Sequence, residues 1–286
     1  MRGPLPAFVV ALGPIATFLF LAAPPTRAQG PGDLTVTPTR LVFEGRTRSA
    51  QVSVINRGTK KATYRIGFLQ MRMTEDGQLE EIEAPGEGEQ FADGLLRFSP
   101  REVTLEPELA QTVRLLVRKP AGLPPGEYRS HLLLYAVPSD EPAAPEPTEL
   151  KDKEIGIRLI PIYRVSLPVI VREGELAATA SLVELSLEPG SGGAAPILAF
   201  HLRRSGERSL YGDVKVTYVS ADGHTERVVG EINGLAVYTP NDVRRVQMTL
   251  YPPPGVELKG GVLKVRFAEP RETKGAVMAE ATVPLP

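Results

Sequence analysis

Residues 49–73 read SAQVSVINRGTKKATYRIGFLQMRM. In the first eight, Ala50, Val52 and Val54 point one way and Gln51 and Ser53 the other. A period of two belongs to a half-buried strand, because successive side chains leave opposite faces of the pleat. Arg57-Gly58-Thr59-Lys60 supplies the turn, and residues 62–73 form a second, longer strand. Asp76-Gly77 follows, a dipeptide suited to the positive φ of a tight hairpin.

The same pattern extends outward. Upstream, residues 34–43 (LTVTPTRLVF) are extended, and Pro38 marks an edge or a switch within the strand. Downstream of an acidic, Gly-rich loop at about 80–94, Leu96, Phe98, Val103 and Leu105 lie around Ser99-Pro100. Glu106-Pro107 makes a corner, and residues 112–118 (TVRLLVR) alternate again. Leu123 to Tyr128 form a turn into a strand starting at His131. Strands every eight to twelve residues with turn signals between them predict a sandwich or barrel. Residues 138–153 are Pro-rich and charged and read as a mobile loop. The longest strand-like stretch, 154–171 (EIGIRLIPIYRVSLPVIV), follows it. Past a hinge at Arg172 to Glu175 the pattern resumes, with strands expected near 178–187, 197–204, 212–219, 225–232, 244–250 and 262–268. The reading is all-β: two domains, about 34–171 and 173–286.

Composition narrows the function. The chain has 286 residues, 28 Pro, 27 Gly, no Cys and a net charge of −1. Disulfides and thiolate metal sites are excluded, and no basic footprint for nucleic acid is present. Residues 7–22 are almost wholly apolar but interrupted by Pro14, and Ala28 with Thr26 before it fits a small-residue cleavage site. This predicts an exported protein whose signal peptide, residues 1–28, is removed, leaving no stable membrane insertion. No catalytic constellation is evident. His131, His201 and His224 lack metal-ligand spacing, and Gly190-Ser191-Gly192-Gly193 lacks the lysine of a phosphate loop. Neither catalysis, metal nor cofactor is expected. Ile155, Ile157 and Leu159 read either as an internal strand or as apolar residues available to a partner.

The order of several pieces resembles the PapD-like chaperones of pilus assembly. They are Thr37-Pro38-Thr39-Arg40-Leu41-Val42-Phe43, Val52 to Asn56, Phe98-Ser99-Pro100 through Pro107, Gln111 to Arg114, and Leu123 to Ser130. The resemblance covers roughly 34–171; the second domain is matched only by class and position. It implies two immunoglobulin-like β-sandwich domains in a periplasmic protein that captures secreted pilin-like subunits, with an outer-membrane usher as a further partner. The subunit lacks one strand, and the chaperone lends its own. By that resemblance the donor residues are Ile155, Ile157 and Leu159. The subunit's terminal carboxylate is anchored by Arg40 and a second cation, Arg164, with Arg158 as its rival. The plain alternative for Arg40 is a strand-edge arginine paired with Glu44 or solvent. A structural or adhesive surface protein is the competing function, and an exported enzyme the third.

Overall fold

The computed structural model describes residues 33–138, 162, 164–190, 194–270, 273 and 275–286. The signal segment, most of the charged loop, the donor residues Ile155, Ile157 and Leu159, and Arg158 lie outside the described residues. Among the described residues no helix is long and apolar enough to cross a membrane.

Ten strands build the first sandwich: β1 Leu34–Thr37, β2 Leu41–Phe43, β3 Ser49–Asn56, β4 Ala62–Met73, β5 Leu79–Ile82, β6 Leu96–Ser99, β7 Glu102–Leu105, β8 Ala110–Val117, β9 Gly126–Ala136 and β10 Arg164–Glu173. One sheet runs β1-β3-β8-β6 and the other β2-β10-β9-β4-β5, with β7 also on β4. Pro38 is a switch: β1 pairs with β3 in one sheet, and β2 pairs with β10 in the other. Ser99-Pro100 repeats the device, sending β6 to β8 and β7 to β4. A proline suits both places because it cannot continue a ladder. The inward residues predicted by alternation meet here: Val52, Val54, Val113 and Leu115 are fully buried with Phe43, Tyr64, Leu132 and Val169. Each aliphatic side chain contributes roughly 1.5–3 kcal/mol.

Seven strands build the second sandwich: β11 Ala178–Glu188, β12 Ile197–Gly206, β13 Leu210–Val219, β14 Glu226–Val237, β15 Val243–Thr249, β16 Val262–Ala268 and β17 Val277–Pro284. Its sheets run β11-β12-β15 and β14-β13-β16-β17 around Phe200, Leu202, Val216, Val265 and Phe267. Strand β17 has no counterpart among the expected strands. His131, expected to open a strand, stands in the middle of β9, between Leu69 of β4 and Pro168 of β10.

The two sandwiches touch through a small apolar knot of their own. Met73 and Ile170 from the first pack with Ala236 and Tyr238 from the second, flanked by Val42 and Tyr211. Polar bonds surround the knot: Asn241 Nδ2 donates to the Met73 carbonyl at 2.7 Å, and Arg245 N to the Glu75 carbonyl at 2.7 Å. The loop after β14 is fixed from its own side by buried Arg204. That guanidinium donates to the carbonyls of Gly206, Pro240 and Asn241.

Candidate functional site

Where the two sandwiches meet, the outer face of β2, β10 and β9 carries an unusual load of charge. Alternation puts Tyr128, Leu132 and Leu134 of β9 into the core. Glu127, Arg129 and His131 therefore face outward, yet all three are buried, and the second sandwich covers Glu127 through Ser209 and Arg129 through Tyr238 and Thr239. Parallel pairing sets Leu41 to Phe43 beside Val169 to Val171. Arg40 thus lies level with Pro168, and Glu44 level with Arg172.

Arg172 is held at the base of the interface. Its Nε donates to Glu127 Oε2 and its Nη1 to Glu44 Oε2, each at 2.9 Å. Glu127 also accepts from the Ser209 amide at 3.1 Å and from the Ser209 hydroxyl, so the carboxylate is bonded from both sandwiches. Glu44 is therefore engaged by Arg172 and is not the partner of Arg40.

Arg40 instead reaches the second sandwich. Its Nη1 donates to the Tyr238 hydroxyl at 3.2 Å. Its guanidinium carbon lies 4.4 Å from the centroid of the Tyr211 ring and 5.5 Å from that of Tyr238. Arg129 packs on the same Tyr238 ring at 4.5 Å and donates to the carbonyls of Thr239 and Met71. Burial lowers the Arg129 pKa from its ordinary value, partly offset by Tyr238 and Glu127. His131 sits beside these cations with neither ring nitrogen hydrogen-bonded among the described residues. Desolvation first, then Arg129 and Arg40, push its pKa down to about 3. It is neutral at physiological pH. A groove of about 670 Å³ starts at Thr39 and Tyr211 and runs past Lys215 and Arg266 on the second sandwich.

The two arginines expected to act together do not meet. Arg164 opens β10, four residues before Pro168, so its backbone stands about 13 Å along the strand from the level of Arg40. It is exposed, with Nη2 3.8 Å from Glu81 Oε2. The residues that do gather around Arg40 are Tyr211, Tyr238 and Arg129. The two tyrosines come from the other half of the chain, so no local pattern joins them to Arg40. A signal existed: Leu235-Ala236-Val237-Tyr238 are buried in succession, which breaks the alternation of β14. Continuous burial means that both faces are covered.

Strand β10 has a second relevant property. It pairs with β9 along its whole length, but with β2 only at Val169 to Val171. On the β2 side, residues 164–168 have no strand neighbour among the described residues. This is an open sheet edge, and the chain enters it from the segment that holds Ile155, Ile157 and Leu159.

The arrangement sets the Arg40 guanidinium in a cleft beside a backbone edge that has no strand neighbour among the described residues. Among the described residues no three His, Cys, Asp or Glu side chains are grouped to hold a metal ion. No protein-family model and no curated protein matches the chain. Several solved structures are similar to it in fold. A chaperone–tip adhesin complex of CFA/I fimbriae biogenesis aligns with 88% of this chain and 98% of its own, at 12% identity and a TM-score of 0.43. The YadV chaperone aligns over 88% and 100%, at 13% identity and 0.42. The third is a pre-assembly complex of CsuC with the tip subunit CsuE, from the archaic chaperone-usher Csu pili of Acinetobacter baumannii. It aligns over 88% and 98%, at 10% identity and 0.41.

Proposed function

We propose that this protein is an exported assembly chaperone that caps secreted β-sandwich subunits of a surface fibre by strand addition. The supporting observation is the junction of two features at one place. The β2-facing edge of residues 164–168 is unpaired, and Arg40, with no carboxylate within 4.0 Å among the described residues, stands where that edge meets β2. An unpaired edge bonds an incoming strand through its main chain. A guanidinium in a half-buried cleft binds a carboxylate with charge-assisted hydrogen bonds. Together they fit the terminal strand of a polypeptide, with its carboxylate on Arg40 and its length along β10.

In this reading residues 34–171 form the capturing domain, residues 173–286 close the cleft, and Ile155, Ile157 and Leu159 extend the donor edge. Arg164 opens β10 about four residues along the strand from the level of Arg40 and is given no part in holding the carboxylate. The reading places the mature chain, after cleavage near Ala28, in the periplasm. A usher is a further partner consistent with it. No catalysis is assigned.

The test mixes the mature protein with a synthetic peptide of the C-terminal strand of a secreted subunit encoded beside it. Wild type is expected to bind, while Arg40→Ala and Ile157→Asp lose binding and remain folded. Absence of binding by wild type, together with unfolding of Ile157→Asp, sinks the proposal and makes residues 154–159 ordinary core.

A further inference from the structure

Arg40 is the only charged group of its cleft that is joined across the two sandwiches by a single neutral hydroxyl among the described residues. In that bond Tyr238 Oη accepts. Its own proton remains available, and no acceptor for it is found among the described residues. On the other side, one N–H of Arg40 is engaged, which leaves most of its five donors unused. The acceptor and donor heavy atoms, Oη and Nη1, are 3.2 Å apart. One carboxylate oxygen, or the two oxygens of one carboxylate, can therefore accept from both.

The surroundings favour an anion there. Arg129 lies against the Tyr238 ring at 4.5 Å, so that ring has two guanidinium groups within 5.5 Å of its centroid. Neither has a carboxylate within 4.0 Å among the described residues, in contrast to Arg172, which has two. The Tyr211 ring lies 4.4 Å from the Arg40 guanidinium carbon, within cation–π range. Tyr238 is in turn packed in the apolar knot with Met73, Ile170 and Ala236.

We infer that the carboxylate is held jointly by the Arg40 guanidinium of the first sandwich and the Tyr238 hydroxyl of the second, with Tyr211 as an aromatic platform. This rests on the terminal-carboxylate reading above. The anchor is then a composite site, complete only while the two domains are docked.

The experiment uses the same C-terminal strand peptide in two forms, with a free carboxylate and with an amide cap. Binding of each is measured to wild type, Arg40→Ala, Tyr238→Phe and Tyr211→Phe. Phenylalanine keeps both ring contacts and removes only the hydroxyl. Wild type is expected to prefer the free acid by about tenfold or more, the size of a charge-assisted bond. Arg40→Ala erases the preference. Tyr238→Phe reduces it about three- to tenfold and leaves affinity for the amide unchanged, a change that a merely structural role would not produce. Tyr211→Phe leaves the preference intact. If Tyr238→Phe keeps the full preference while Arg40→Ala loses it, the composite site is wrong and the capture reading stands. If Arg40→Ala also keeps it, or neither peptide binds wild type, both fall.

Discussion

Acidification tests the packing of the cleft through His131. The residue is 1% exposed, has no hydrogen-bond partner for its ring among the described residues, and is neighboured by Arg129 and Arg40. Its pKa is about 3 in the folded protein and 6.5 as an ordinary histidine. The unfolded chain therefore takes up a proton first as pH falls. Stability is undiminished above 6.5, declines below it, and the loss from this group is complete near pH 3. At pH 5 the unfolded state has gained about 1.5 units of advantage, which is about 2 kcal/mol, while at pH 7 the advantage is near zero. His131→Leu removes the titration and leaves an apolar residue between Leu69 and Pro168. Urea unfolding of both proteins at pH 7 and pH 5 separates this effect from the carboxylates, which titrate alike in the two. Wild type is expected to lose about 2 kcal/mol more than the variant. Equal losses would refute the reasoning, as would an NMR titration of the folded His131 ring near 6.5.

Arg172→Ala leaves the Glu127 side chain, which is 0% exposed, without its cation. A cost of about 3–5 kcal/mol in urea unfolding is expected. Ile170→Asp buries a charge in the knot with Met73 and Tyr238 and should divide one calorimetric transition into two. A single unchanged transition counts against the knot as the coupling element. Arg164→Ala should change unfolding free energy by about 0.5 kcal/mol or less, because its ion pair with Glu81 is long and exposed. Peptide affinity should change less than twofold; a tenfold loss restores Arg164 as an anchor.

The strands were legible where one face met a core and the other met water. Residues 49–56 announced β3 because Val52 and Val54 are buried while Gln51 and Ser53 are not fully so. Strand β17 was illegible because Val277–Pro284 shows only a weak contrast between its faces. Pro38 and Pro100 were visible as interruptions, but which sheet each segment joins depends on partners far along the chain. Arg40 was legible only through its place in Thr39-Arg40-Leu41-Val42-Phe43. Its distance from Arg164 follows from the register of β10 against β2 and β9, which no local pattern reports. The burial of Glu127, Arg129 and His131 was likewise hidden. Alternation gave β9 an outer face, and only the second sandwich makes that face an interior.

Arg204 gives the cleft a further character. One guanidinium bonds the carbonyl of Gly206 at the end of β12 and those of Pro240 and Asn241 in the loop just beyond Tyr238. The strand end and the loop are thereby cross-braced by one side chain. Arg204 thus acts as a keystone: its loss would slacken the arch that holds Tyr238 over Arg40 without removing a single atom from the site. Replacing either segment would remove acceptors of this brace, so Arg204 and the two segments it joins behave as one mechanical unit.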